Sequence, residues 1–185
     1  MNIIGVPPEA WFPVITLVIG ATLKAVFDAF ADRRIDSRSR EARAEQRLDS
    51  IRLKRAEFQR TTLLELQEVV AQHARFAGQA HHQDMMAARS SGVWGRQLLT
   101  DEVNDGIHKT QVRLALLKER VRDEKIRQLA ELFVADCVAA GLAKSEADAT
   151  NYMFGMRAHL TELQKRIGLA LRSLDDDEDR LLERS

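Results

Sequence analysis

Val103–Val121, VNDGIHKTQVRLALLKERV, carries Val103, Ile107, Thr110, Leu114, Leu117 and Val121 at spacings of 4, 3, 4, 3 and 4 residues. That alternation keeps all six side chains on one side of an α-helix. Thr100 stands where a capping hydroxyl is wanted, and Asp101 and Glu102 follow in the first turn. Gly106 weakens the helix only locally. A seam of this kind stabilises nothing until it is covered, so the fold depends on whether neighbouring segments carry matching stripes.

They do, on both sides. C-terminally, Ile126, Leu129, Ala130, Phe133, Cys137 and Ala140 form a second stripe. Ile126 would point away from the Leu117/Val121 face of an unbroken helix. The phase break predicts a turn near Arg122–Asp123, with Asp123 as cap and Gly141 as the stop. Ser145, followed by Glu146 and Asp148, opens a last helix. Its core face is Ala149, Met153, Met156, Leu160, Leu163, Ile167, Ala170 and Leu174, and Gly155 and Gly168 mark expected close helix approaches. N-terminally, Leu63, Leu66, Val69, Val70, His73, Phe76 and Ala77 share one side of a helix that runs to about Arg89. Ser90–Ser91–Gly92 ends it, and Trp94 in the short connection reads as an apolar plug. Four stripes joined by short links predict a four-helix bundle-like domain over residues 61–174.

Composition agrees with an all-α chain. The three prolines fall within the first 13 of 185 residues, and Ala, Leu, Arg, Glu and Gln dominate thereafter. Residues 32–60 are strongly helix-forming and charged, with Leu48, Ile51 and Phe58 as the main large apolar side chains. They read as a long charged stalk helix whose heptads are too broken for a defined coiled coil. Residues 175–185, opening with five consecutive acids, read as a solvated acidic tail.

Residues 11–31, WFPVITLVIGATLKAVFDAFA, are long and apolar enough for an N-terminal transmembrane helix. Lys24 and Asp28 pair at i, i+4 near its exit, and Trp11 and Phe12 suit the opposite interface. A helix lying flat in the interface is the alternative. Its polar stripe, Gly20, Lys24, Asp28 and Asp32, is narrower than such helices usually show. Residues 1–10 hold no Lys or Arg, whereas Arg33, Arg34, Arg38 and Arg40 follow the segment closely. The positive-inside rule then leaves residues 1–10 outside and the bundle in the cytoplasm at the cell (inner) membrane. Those four arginines are the candidates for contact with anionic lipid headgroups.

The balance of 28 basic and 28 acidic residues gives no global field for nucleic acid. One cysteine, Cys137, excludes an internal disulfide. No phosphate loop, paired-cysteine metal site or nucleophile elbow is present. A di-iron bundle needs Glu-x-x-His motifs, and Glu65 and Glu68 lack the histidine three residues on. His73 lies at the centre of an apolar stripe, with Asp84 at a similar angle three turns later and His81 beside it. These could form a metal or pH-responsive site. The plainer expectation is a core histidine with a hydrogen-bond partner, and Asp84 in water. Met85, Met86, Met153 and Met156 read as packing, and Cys137 as a small core hydrophobe. No cofactor and no enzymatic activity are expected.

The runs FQRTTLLELQ (58–67), HHQD and SSGVWGRQLL within 81–99, LLKERVRDEKIRQL (116–129) and LQKRIGLALRSL (163–174) resemble a broad set of uncharacterised bacterial proteins. These have one N-terminal membrane helix, an Arg-rich juxtamembrane helix and a small helical domain. The resemblance implies that topology and no activity. The expectation is a membrane-tethered interaction module that meets a second copy or another protein. The alternatives are a membrane-active, pore- or lysis-type protein, and a ligand or metal sensor using His73 and Asp84.

Overall fold

The computed structural model describes residues 8–95 and 98–182, with side chains at 17, 19–24, 27, 40, 43–95 and 98–180. The described residues form four α-helices and no strand: α1 Pro8–Ser91, α2 Asp101–Arg120, α3 Glu124–Gly141 and α4 Glu146–Leu182. The chain divides into two compact units, Met1–Ile51 and Arg52–Ser185.

In the first unit Leu17, Ile19, Leu23 and Phe27 are exposed. Among the described residues no helix is long and apolar enough to cross a membrane. Most side chains of the 11–31 segment, and those of Arg33, Arg34 and Arg38, lie outside the described residues; Arg40 is described and exposed.

The second unit is where the four stripes meet. Leu63, Leu66, Val69 and Val70 of α1 join Leu114 and Leu117 of α2, Ile126, Leu129 and Phe133 of α3, and Met156, Leu163 and Ile167 of α4 in one core. Each helix is amphipathic and cannot hide its apolar face alone, so the bundle closes around this shared interior. The α2–α3 break falls where the phase of the stripe changes: Val121 is buried, and Asp123 Oδ1 caps α3 by accepting from the amides of Lys125 and Ile126. Burial pushes the Asp123 carboxyl up, but Arg166 and those two amides outweigh it and hold it below the usual range. Ser145 caps α4 through the Asp148 amide at 3.1 Å.

Four expectations need correction. Thr100 occupies the N-cap position of α2 but makes no capping bond, because its hydroxyl accepts from Gln83 Nε2 at 3.1 Å instead. The acidic run is largely exposed, as a solvated tail would be, but it is ordered as helix: α4 continues to Leu182, and Arg60 binds Asp175 and Glu178, each at 2.6 Å. The packed body also takes in the last turns of the segment read as stalk, since Gln59 is buried. Gly155 marks a close approach, a Cβ there lying 2.8 Å from Asp136 Oδ2, but Gly168 meets only an arginine of its own helix. Gly92 and Gly95, with φ of 73° and 72°, shape the α1–α2 connection in a conformation that side chains rarely adopt.

Candidate functional site

His73 lies near the middle of the packed part of α1 and is 1% exposed. Its Nδ1 lies 2.7 Å from Thr110 Oγ1, and the Phe133 ring meets it edge-on with centroids 5.8 Å apart. Thr110 Oγ1 also lies 2.6 Å from the Gly106 carbonyl oxygen. Two oxygens approach that closely only with a proton between them, so the hydroxyl donates to Gly106 and accepts from His73. The imidazole therefore carries its proton on Nδ1 and leaves Nε2 as an acceptor. Burial lowers the His73 pKa, which keeps the ring neutral. This is the core histidine with a side-chain partner that the sequence suggests.

His73 also lines one end of a cavity of about 340 Å³ between α1, α2, α3 and their connections. Its Nε2 makes no hydrogen bond to a described residue, and no described side-chain nitrogen or oxygen is both buried and unpartnered. Nε2 is therefore open to this space. Ala77, Ala80, Ile107 and Val138 form much of the apolar wall. Asp84 and His81 line the other end, so Asp84 does not stand in bulk water as expected. Burial pushes its carboxyl up, and neighbouring His81 pulls it partly back. The structure thus brings His73 and Asp84 into one cavity without a direct bond between them.

Trp94 is more than a plug. Its indole Nε1 donates to the Ala143 carbonyl at 3.0 Å, and its ring faces His81 at 6.0 Å. The hydrogen bond fixes the indole in the cavity lining, against the α3–α4 connection. Cys137 lines the same space, and burial, with nearby Asp136, pushes its thiol up to about 12. It is not a nucleophile at neutral pH. Met156 is buried and Met153 packs against the core, while Met86 is exposed; His82 is exposed as well.

Among the polar pairs between helices that the sequence does not announce is one on α3 and α4. His159 Nδ1 and Asp136 Oδ2 lie 2.8 Å apart between α4 and α3. Nothing local flags it, because the two residues belong to different helices. Among the described residues no group of three or more His, Cys, Asp or Glu is arranged to hold a metal ion. Comparison with known protein families, curated proteins and solved structures gives no match.

Proposed function

We propose that the chain is a membrane-tethered helical interaction module. Residues 11–31 anchor it in the bilayer, with residues 1–10 outside. Arg33, Arg34, Arg38 and Arg40 lie at the anionic headgroups. The helical body stands on the cytoplasmic side and meets a second copy or another protein. Tethering to a surface raises local concentration, so even a weak contact becomes effective.

The observation that supports this reading is how the body spends its buried polar side chains. Gln59, Thr62, His73 and Thr110 are the buried polar residues described. Each bonds to helix or turn backbone or to another of the four. They organise packing and do not converge on a reacting centre. Meanwhile Val112, Leu116, Leu132 and Phe154 keep large apolar side chains at the surface.

Alkaline carbonate extraction should leave the chain in the membrane pellet, and an alkaline phosphatase fused after residue 185 should be inactive. Crosslinking in membranes should trap a dimer or a distinct partner. Release by carbonate would leave the flat interfacial helix in place of the anchor. Failure to trap any protein would remove the interaction module.

A further inference from the structure

The cavity has a chemistry that the interaction reading does not use. At about 340 Å³ it lies at the lower end of the range occupied by small-molecule sites. Its walls are mostly apolar. Its polar lining is His73, His81, Asp84, Trp94, Asn104 and Gln111, and Asp84 is the one carboxyl group among them. His73 Nε2 is an unpartnered acceptor at the inner end, because Thr110 holds the ring proton on Nδ1. Asp84 supplies a carboxylate at the outer end. Among the described residues no Lys or Arg lines the space.

Two further features set the sign at the outer end. The last turn of α3 ends against the cavity at Ala140 and Gly141, and that turn holds no basic side chain. No basic side chain of that turn offsets the negative end of the helix dipole. The Trp94 indole, held by its bond to Ala143, lines the cavity together with Asp84, and its ring lies 6.0 Å from that of His81. An aromatic face, a carboxylate and a helix C-terminus all favour a cation. Burial makes the Asp84 carboxylate costly while alone, and an ammonium group beside it would relieve that cost.

We infer that this cavity binds a small organic amine: an ammonium group between Asp84 and Trp94, an apolar body along Ala77, Ala80 and Ile107, and a hydroxyl or N–H donating to His73 Nε2. Asp84 and His73 are eleven residues apart on α1, roughly 16 Å between backbones at 1.5 Å per residue. Both line the one cavity, and with a hydrogen bond at each end that span suits a ligand the length of an aromatic ethylamine. A carboxylate ligand would be repelled at the outer end and would find no donor on His73.

Three near-isosteric probes separate these demands: tyramine (cation), tyrosol (neutral) and 4-hydroxyphenylacetate (anion). Binding to the 185-residue chain is read by calorimetry and by Trp94 emission in a Trp11→Phe background, where Trp94 is the only indole. Tyramine should bind saturably, at least tenfold more tightly than tyrosol, and 4-hydroxyphenylacetate should not bind. Asp84→Asn should erase the preference of tyramine over tyrosol and leave tyrosol unchanged. Trp94→Leu, read by calorimetry, should weaken tyramine more than tyrosol. Asp84 is only half-buried, so the Asn variant should keep the wild-type melt. The inference is overturned if none of the three binds, if the anion binds as well as the cation, or if the tyramine preference survives Asp84→Asn.

Discussion

Gln59 and Arg122 are joined across 63 residues of sequence: the Arg122 backbone amide donates to Gln59 Oε1 at 3.0 Å. The other half of the same side-chain amide, Nε2, donates to the Arg120 carbonyl at 2.9 Å. One buried glutamine on α1 thus satisfies both strands of the α2–α3 turn, where the helix has ended and its backbone groups would otherwise lack partners.

Gln59→Ala should therefore destabilise the body by about 1–3 kcal/mol, the usual cost of leaving buried polar groups unpaired. A fragment of residues 52–185 should melt cooperatively. One beginning at residue 61, which lacks Gln59, should melt at a lower temperature. Equal melting of the two fragments would show that the turn holds without its clamp.

His73 is predicted to make stability fall in mild acid. Its folded-state pKa is depressed below 6.5, so the unfolded chain takes up a proton that the folded chain refuses. The stability due to the neutral ring is full above 6.5. It is lost as the pH falls from there towards the folded value, at up to about 1.4 kcal/mol per pH unit. Urea titrations of wild type and His73→Leu should converge above neutrality and diverge below it, with the variant the more stable in acid. His81, Asp84 and Cys137 share the cavity and are present in both proteins, so the difference isolates His73. Parallel pH curves would place the acid sensitivity elsewhere.

Gly106→Ala should destabilise, against the ordinary helix preference for alanine. A Cβ at Gly106 would lie 2.5 Å from the Phe76 ring, closer than atoms tolerate. Displacing that ring from a packed interface costs typically about 1–3 kcal/mol, which exceeds the roughly 1 kcal/mol gained in helix propensity. Phe76→Leu should rescue part of the loss in a double-mutant cycle. Independent, additive effects of the two substitutions would mean that the ring moves aside freely.

Arg60→Gln should fray the end of α4 without unfolding the body. Asp175 and Glu178 lose their shared guanidinium, and five consecutive acids at a helix C-terminus are then opposed by the dipole as well as by one another. Hydrogen exchange at residues 176–182 should quicken while the global melt changes little. High salt should narrow the difference, since the ion pairs are partly exposed.

Replacing Arg33, Arg34, Arg38 and Arg40 with Gln should weaken binding of a 32–185 fragment to vesicles containing phosphatidylserine. Each basic residue near such a surface contributes on the order of 1 kcal/mol at low salt. Unchanged binding at low salt would remove the proposed headgroup contact.

The features legible in the sequence are those fixed by neighbours along one helix. The Val103–Val121 seam is buried along its length apart from the half-buried Ile107, because its spacing alone determines a face. The break before Asp123 was visible because Ile126 falls out of phase, and the cap followed from residue type. Thr100 looked equally good as a cap, but its hydroxyl is drawn off by Gln83, which approaches from another helix. Arg60 looked like one more stalk charge because its partners lie 115 and 118 residues away. The cavity was illegible for the same reason. His73 and Asp84 stood out, but the space between them is made by α2 and α3 failing to fill it, and no single stripe records that.

Cys137 turns the body into its own clock. A thiol held up to about 12 holds almost no thiolate at neutral pH while the bundle is closed, and the chain has no other cysteine. Electrophiles such as maleimides react through the thiolate, so labelling of the closed body should be slow and should quicken when the side chain gains water. The labelling rate of native protein then reports how readily the walls around Cys137 loosen. Because Cys137 also lines the cavity, any occupant that steadies those walls should slow the labelling.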